Sequence, residues 1–142
     1  MSEAKLPITG GCLCGAIRYS VDAQPLGART CWCRLCQYVA AGSATVNVIF
    51  PAEAVKIEGP LRTYDRVADS GNHLMRGFCP DCGTPVTSFA AERPHLMILR
   101  AGTLDDPGLI GPTTIIWADA APDWAHLDPA LPRHAAQAPP VA

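Results

Sequence analysis

The sequence contains little charge and no long apolar segment. Only 17% of the 142 residues are charged, against about 25% in an average globular protein, whereas 49% are hydrophobic. This composition excludes a disordered polyampholyte and predicts a chain that can bury a sizeable core. No apolar run approaches the roughly 20 residues that a membrane-spanning helix requires, so the sequence predicts no membrane partner.

A surplus of basic residues is also lacking. Eleven Lys and Arg stand against 13 Asp and Glu, which gives a formal net charge of −2. The basic residues are dispersed along the chain instead of forming a cluster. Since nucleic-acid-binding domains normally concentrate positive charge on one surface, the sequence argues against nucleic acid as a partner.

Residues 1–10 lack the apolar stretch of a secretory signal, although they include Lys5. We therefore expect a cytoplasmic protein, in a reducing compartment where structural disulfides are rare. The length fits one domain, which we assign to residues 1–134. Residues 135–142 contain Pro139-Pro140 and small side chains, so they predict a loose C-terminal tail.

Proline and short apolar stretches are what the sequence does contain. The 14 prolines disfavour a helix bundle. Short alternating or β-branched segments, separated by Gly, Pro and Asp, are typical of strands in an all-β fold. Only residues 33–41 predict a short helical turn. The predicted strands cover residues 17–21, 44–50, 55–58, 61–66, 73–78, 85–89, 95–100 and 113–117.

The seven cysteines occur in three closely spaced groups, Cys12-x-Cys14, Cys31-x-Cys33-x-x-Cys36 and Cys79-x-x-Cys82. An odd number leaves one thiol outside any complete disulfide framework, and such short spacings suit thiolates that surround a metal ion. No Ser/His/Asp arrangement, phosphate loop or dinucleotide fingerprint occurs. The cysteines therefore indicate the chemistry.

The first and last groups resemble two zinc knuckles, each with a glycine after its second cysteine that can adopt a positive φ. Together they supply four thiolates, which is the tetrahedral complement of a structural zinc site. The predicted ligands are Cys12, Cys14, Cys79 and Cys82. Iron suits the same four thiolates, and buried free cysteines or a redox pair are the alternatives without a metal.

The middle group, Cys31, Cys33 and Cys36, offers three ligands. A zinc ion held by three protein ligands keeps a fourth position for water or substrate, which distinguishes catalytic from structural zinc sites. We therefore predict a second, functional zinc on these cysteines. The alternatives are a structural site closed by a histidine and a redox trio without metal. His73 and His95 lie in strand-like segments, but no histidine is assigned as a ligand.

The motifs around these cysteines resemble the glutathione-dependent formaldehyde-activating enzyme family, which includes the eukaryotic centromere protein V. The resemblance covers residues 10–134 in family order and rests on Gly11-Cys12-Leu13-Cys14-Gly15, Cys31-Trp32-Cys33-Arg34-Leu35-Cys36, Phe78-Cys79-Pro80-Asp81-Cys82-Gly83-Thr84-Pro85, Ala101-Gly102-Thr103-Leu104-Asp105-Asp106-Pro107, Ile116-Trp117 and Leu131-Pro132. It implies a β-tent fold of stacked antiparallel sheets and two zinc ions, one structural and one functional, on the two cysteine sets described above. It also implies that glutathione and formaldehyde are joined to S-hydroxymethylglutathione, an activity classed as a carbon–sulfur lyase.

Trp32 departs from the family, which commonly has histidine at this position. The substitution leaves the three cysteines intact and predicts an altered pocket wall, which Trp117 and Trp124 would help to form unless they pack elsewhere. Arg34 would meet a carboxylate of glutathione or remain solvated. The resulting prediction is a zinc-dependent lyase-type enzyme that acts on a small-molecule thiol and an aldehyde. The alternative is a non-catalytic, zinc-stabilised β module that binds a protein.

Overall fold

The computed structural model describes residues 3–142 and confirms a mainly β chain. Its strands are β1 (Ile8–Gly11), β2 (Arg18–Val21), β3 (Gly27–Cys31), β4 (Thr45–Pro51), β5 (Val55–Glu58), β6 (Arg62–Val67), β7 (His73–Phe78), β8 (Pro85–Ala90), β9 (Leu96–Arg100) and β10 (Thr114–Ile116). The α-helix is α1 (Arg34–Val39), and short 3-10 turns occupy Ala52–Ala54, Ala101–Thr103 and Ala118–Ala120. None of the helices in residues 3–142 has the length and apolarity to cross a membrane.

The strands form two sheets. The small sheet has the order β1-β2-β5 and is antiparallel. The large sheet has the order β10-β3-β4-β9-β8-β7-β6. Its neighbouring strands are antiparallel except for β10 and β3, which are parallel.

Two strands, β1 and β3, have no counterpart among the predicted strands. Their sequences are Ile-Thr-Gly-Gly and Gly-Ala-Arg-Thr-Cys, so glycine and small side chains conceal the alternation that marks a strand. Pairing with neighbours places them: β1 lies against β2, and β3 lies between β4 and β10. The second case matters for function, because β3 carries the first cysteine of the middle group.

The core lies between the two sheets. Tyr19 and Val21 of β2 are buried in one apolar cluster with Val48 and Phe50 of β4 and with Leu99 of β9. Burial of each aliphatic or aromatic side chain contributes about 1.5–3 kcal/mol. Successive side chains of a strand point to opposite faces, so the alternate residues of the large sheet lie on a second face that does not contribute to this core.

Asp105 fastens the β1–β2 hairpin to the loop that follows β9. Its carboxylate accepts hydrogen bonds from Arg18 Nη1 at 2.8 Å and from Thr9 Oγ1 at 2.7 Å. The hydrogen bond from Arg18 is the main reason that the pKa of Asp105 is lowered to about 2. Behind this contact, the buried Tyr19 hydroxyl lies 2.8 Å from Thr103 Oγ1.

Residues 135–142 were expected to form a loose tail, and they have no regular secondary structure. They nevertheless contact the large sheet. Ala136 O accepts a hydrogen bond from Trp117 N at 3.0 Å, and Pro139 O accepts one from Arg29 Nη2 at 2.6 Å. Ala138 is buried beside the middle cysteine group. This segment therefore packs along the end of the sheet that carries β3 and β10.

Candidate metal centres and the adjoining cavity

The four outer cysteines lie together. The sulfurs of Cys12, Cys14, Cys79 and Cys82 are all within 4.8 Å of one another. Cys14 Sγ lies 3.6 Å from Cys12 Sγ and 3.7 Å from Cys79 Sγ. A tetrahedral zinc with Zn–S bonds near 2.3 Å separates its sulfurs by about 3.8 Å, so the donor set fits a four-thiolate zinc site.

Each half of this group is the turn of a β-hairpin. One turn connects β1 to β2, and its Cys12 N donates to Ile17 O at 3.1 Å. The other connects β7 to β8, and Cys79 N donates to Thr84 O at 3.0 Å in the same pattern. Gly15 and Gly83 have φ values of +82° and +77°, which glycine adopts without a steric penalty. The predicted knuckle turns therefore follow from local sequence.

Hydrogen bonds favour the thiolate form of two cysteines of the outer group, Cys12 and Cys82. Ile17 N donates to Cys12 Sγ at 3.2 Å, and the Thr84 hydroxyl lies 3.1 Å from Cys82 Sγ. The contact with Thr84 is the main reason that the pKa of Cys82 is lowered to about 5. Donors that stabilise deprotonated sulfur suit a metal ligand, because a metal binds the thiolate and not the thiol.

The three cysteines of the middle group lie where β3 ends and α1 begins. Cys31 is the last residue of β3, Cys33 is the N-cap of α1, and Cys36 is in its first turn. Cys33 Sγ accepts a hydrogen bond from Cys36 N at 3.3 Å, so the sulfur serves as a capping group. The three sulfurs lie within 4.8 Å of one another, and each residue is only 5% exposed.

Burial and mutual contact give these thiols different pKa values. Hydrogen bonds from Cys31 and Cys33 hold the pKa of Cys36 well below its usual value, with help from Thr45 and Arg100. Hydrogen bonds with Cys33 and Cys36 raise the pKa of Cys31. The group is thus predisposed to hold a thiolate, and a divalent metal would take the place of the remaining thiol protons.

Within residues 3–142, no histidine or carboxylate joins these three sulfurs. His73 is exposed, and its ring contacts Glu92, while His95 is exposed in the turn between β8 and β9. The alternative of a structural site closed by a histidine therefore has no ligand in this part of the chain. The donor set fits a zinc ion with three protein ligands.

A cavity of about 440 Å³ opens beside the middle group. Cys31, Cys33 and Cys36 form one end of it. The face of the large sheet that points away from the core forms its floor, and Gln137, Ala138, Pro140 and Val141 contribute a wall. Volumes of this order are typical of small-molecule sites.

The aromatic residues around the cavity differ from the sequence expectation. Trp117 lines the cavity, whereas Trp32 is 4% exposed and does not. The prediction that Trp32 alters the pocket wall was therefore wrong, because its side chain packs into the protein. Trp124 is 72% exposed. Arg34 does not line the cavity either, and its guanidinium lies 4.5 Å from the ring centre of Tyr38.

Four arginines that the sequence analysis did not single out line the cavity. They are Arg29, Arg76, Arg93 and Arg100. Arg76 and Arg100 lie within strands, each alternating with an apolar or small neighbour that faces the other way. An arginine within an otherwise apolar strand indicates that one face of the strand lines a polar cavity. This pattern is visible in the sequence.

Comparisons with known proteins agree with this arrangement. A family model described as glutathione-dependent formaldehyde-activating enzyme matches residues 7–120. No curated protein sequence matches the chain significantly. A crystal structure of a Rhodobacter sphaeroides protein superposes with a TM-score of 0.56 and 20% identity, over 70% of this chain and 89% of that chain. At this identity the likeness shows the fold alone.

Proposed function

Because the chain belongs to the glutathione-dependent formaldehyde-activating enzyme family, we propose that it is a zinc-dependent carbon–sulfur lyase-type enzyme. The proposed reaction joins glutathione and formaldehyde to S-hydroxymethylglutathione. The observation that carries the proposal is the group of three buried sulfurs at one end of the cavity, without a fourth ligand among residues 3–142.

Cys31, Cys33 and Cys36 would hold the functional zinc, and Cys12, Cys14, Cys79 and Cys82 the structural one. When bound, the functional zinc supplies Lewis acidity and increases the thiolate fraction of a substrate thiol at neutral pH. In the net reaction the sulfur electron pair forms the S–C bond and the carbonyl π pair moves to oxygen. The thiol proton ends on that oxygen, so no oxidant or reductant is consumed.

The surrounding residues would orient the two reactants. The cavity would hold both reactants beside the cysteines, which makes a bimolecular step effectively unimolecular and lowers its entropic cost. Trp117 and Ile116 line the cavity next to the cysteines and would give the reactants an apolar surface there. Arg100 contributes positive charge near Cys36, which favours accumulation of thiolate at this end of the cavity.

Metal analysis tests the ligand assignment. We expect two zinc ions per chain in the wild type and one in Cys33→Ser, with the second ion more readily removed by a chelator. Elemental analysis also distinguishes zinc from iron. Cys33→Ser should keep its far-ultraviolet circular dichroism, because the change is confined to the β3–α1 junction. A single tightly bound zinc that is unaffected by Cys33→Ser would overturn the functional-site assignment.

Exchange NMR on mixtures of glutathione and formaldehyde tests the activity. We expect adduct formation and breakdown to be faster with the wild type than without protein, and to return to the uncatalysed rate with Cys33→Ser. If the wild type gives only the uncatalysed rate, the lyase proposal fails. A non-catalytic zinc-stabilised module that binds a protein would then be the better description.

A further inference from the structure

Among residues 3–142, no carboxylate pairs with an arginine of the cavity. The ion pairs formed by residues 3–142 are Arg18–Asp105 and His73–Glu92, and neither includes a cavity arginine. Arg76 and Arg100 are only 9% and 8% exposed. A buried cation without a counter-charge is costly, so its retention at two neighbouring positions calls for an explanation.

The hydrogen bonds of these guanidinium groups are also incomplete. Arg76 Nε, Arg100 Nε and Arg93 Nη2 are buried and find no acceptor in the part of the chain that the structure describes. Arg100 Nη1 donates to the amide oxygen of Asn47 at 2.5 Å, which is a neutral acceptor. Most buried polar atoms in folded proteins are satisfied. The unpaired donors therefore indicate that a ligand supplies the missing acceptors.

Strand register places these donors on one face of the sheet. Asn47 of β4 is opposite Arg29 on one side and Arg100 on the other. Arg76 of β7 is opposite Ser88 of β8, which is opposite Ile98 of β9. Arg76 and Arg100 are therefore two strands and two residues apart, or about 12 Å between Cα atoms, a gap that two long side chains can span toward one ligand.

The same register also gives the order of the polar groups along the floor of the cavity. Arg29 precedes Cys31 by two residues on β3, so it lies on the same face as that cysteine. Arg100 lies between the cysteines and Arg76, and Arg76 is the farther of the two arginines from the cysteines. A ligand that reaches from the sulfurs to Arg76 must therefore carry its negative charge several bonds away from the atom at the metal site.

Other charges do not neutralise this surface. Glu92 lines the cavity but contacts His73, whose backbone N also donates to that carboxylate at 2.9 Å. Asp69 is exposed at the rim. Three thiolates with one zinc ion carry a single net negative charge, which one guanidinium offsets. Positive charge remains in excess even when the cysteine site is filled.

We propose that Arg76 and Arg100 bind a carboxylate of the thiol substrate and thereby select anionic thiols over neutral ones. This proposal rests on the proposed function, because it presumes that a thiol occupies the cysteine end of the cavity. It assigns to both arginines a role in positioning and specificity. The fork of an arginine matches a carboxylate with two parallel hydrogen bonds, which supplies the acceptors that Arg76 and Arg100 lack.

Binding of a thiol-blocked ligand tests the arginines separately from chemistry. The probe is S-methylglutathione, whose sulfur has no thiol proton to lose, and the comparison is its diester, in which both carboxylates are masked. Isothermal titration calorimetry on the zinc-loaded protein should give a Kd for the diester that is weaker by about tenfold or more. Equal affinities for the acid and the diester would overturn the proposal, and so would failure of the wild type to bind either.

Substitutions then locate the carboxylate. Arg76→Gln and Arg100→Gln should each weaken the binding of S-methylglutathione by about tenfold or more, with little change for the diester. Arg76→Lys and Arg100→Lys should recover part of the lost affinity, since lysine keeps the positive charge but cannot donate two parallel hydrogen bonds. Arg62→Gln removes an exposed arginine of β6 that does not line the cavity, so it is the matched control. Unchanged affinity in both glutamine variants contradicts the proposal.

Thermal unfolding distinguishes this role from a structural one. Without ligand, Arg76→Gln should have the same Tm as the wild type or a higher one, because it removes a buried unpaired charge. The rise in Tm that S-methylglutathione produces in the wild type should be lost. A lower unliganded Tm together with a normal ligand-induced rise would assign Arg76 a structural role and overturn the proposal.

The exchange NMR assay keeps the two proposals apart. If the arginines govern binding but glutathione adduct formation is not accelerated, the carboxylate site stands and the lyase function fails. If glutathione and its diester are accelerated equally, the lyase function stands and the role of the arginines fails.

Discussion

Gly10 shows how closely the small sheet approaches the turn that follows β9. A Cβ atom at this position would collide with the backbone oxygen of Thr103 and with the Tyr19 hydroxyl. Because a backbone atom cannot easily move aside, we expect Gly10→Ala to lower the free energy of unfolding by about 2 kcal/mol or more. Urea denaturation of the zinc-loaded protein measures the change.

Gly102 provides the control for this substitution. A Cβ there has no neighbour within 4 Å among residues 3–142 and its φ is not positive, so Gly102→Ala should be neutral or slightly stabilising. Equal denaturation midpoints for the two variants would show that Gly10 is not closely packed in solution.

At the residue scale, the sequence predicts the cysteines better than the cavity wall. Spacing within a turn is a local property, so the pattern around Cys79 and Cys82 indicates a metal site without knowledge of the fold. Whether a tryptophan or an arginine faces a cavity depends on strand register and on the elements packed above it. This is why Trp32 was misplaced and why Arg76 and Arg100 were not singled out.

At the scale of elements, the contact of Asp105 with Arg18 ties the β1–β2 hairpin to the loop after β9. Both side chains are about half exposed, at 49% and 48%, so a double-mutant cycle should give a coupling below about 1 kcal/mol. The coupling should shrink in 1 M salt, where charges are screened within about 3 Å. A coupling that is insensitive to salt would indicate packing in place of charge.

The pH dependence of this contact has a definite sign. The pKa of Asp105 is lowered from 3.8 to about 2, so the stabilisation is complete above the ordinary value and is lost as the pH falls toward about 2. The stability difference between the wild type and Asp105→Asn should therefore be constant between about pH 8 and pH 6. A difference that changes across this interval would assign the effect to another titrating group.

The C-terminal segment is a second element whose role the sequence alone did not reveal. Gln137 and Ala138 line the cavity, and Trp117 Nε1 donates to Gln137 Oε1 at 3.0 Å. Removal of residues 137–142 should expose the Trp117 indole, shift tryptophan fluorescence to longer wavelength and speed chelator removal of the functional zinc. Deletion of Ala142 alone, an exposed residue outside the cavity lining, should change neither. Unaltered fluorescence and zinc release in the longer deletion would show that the segment does not cover the site.

At the scale of the whole molecule, the sequence predicts the fold class and most strands, because each short segment carries its own alternation. The division into two sheets and the order of the large sheet were not predicted from strand pattern. They depend on pairings between distant segments, such as β4 with β9, and on β3, whose small residues give little signal. The sheet order in turn places the middle cysteines and the arginines around one cavity.

The two proposed zinc sites should therefore differ in their effect on folding. The outer site joins the β1–β2 hairpin of the small sheet to the β7–β8 hairpin of the large sheet, at a sequence separation of 65 between Cys14 and Cys79. The middle site spans only the β3–α1 junction. Zinc binding at a structural site contributes about 10 kcal/mol or more in small zinc domains, which is comparable to the net stability of a whole domain. We expect Cys82→Ser to lose cooperative thermal unfolding or to lower the Tm far more than Cys33→Ser, with both followed by circular dichroism and zinc content. A larger loss of Tm in Cys33→Ser would reverse the structural and functional assignments of the two sites.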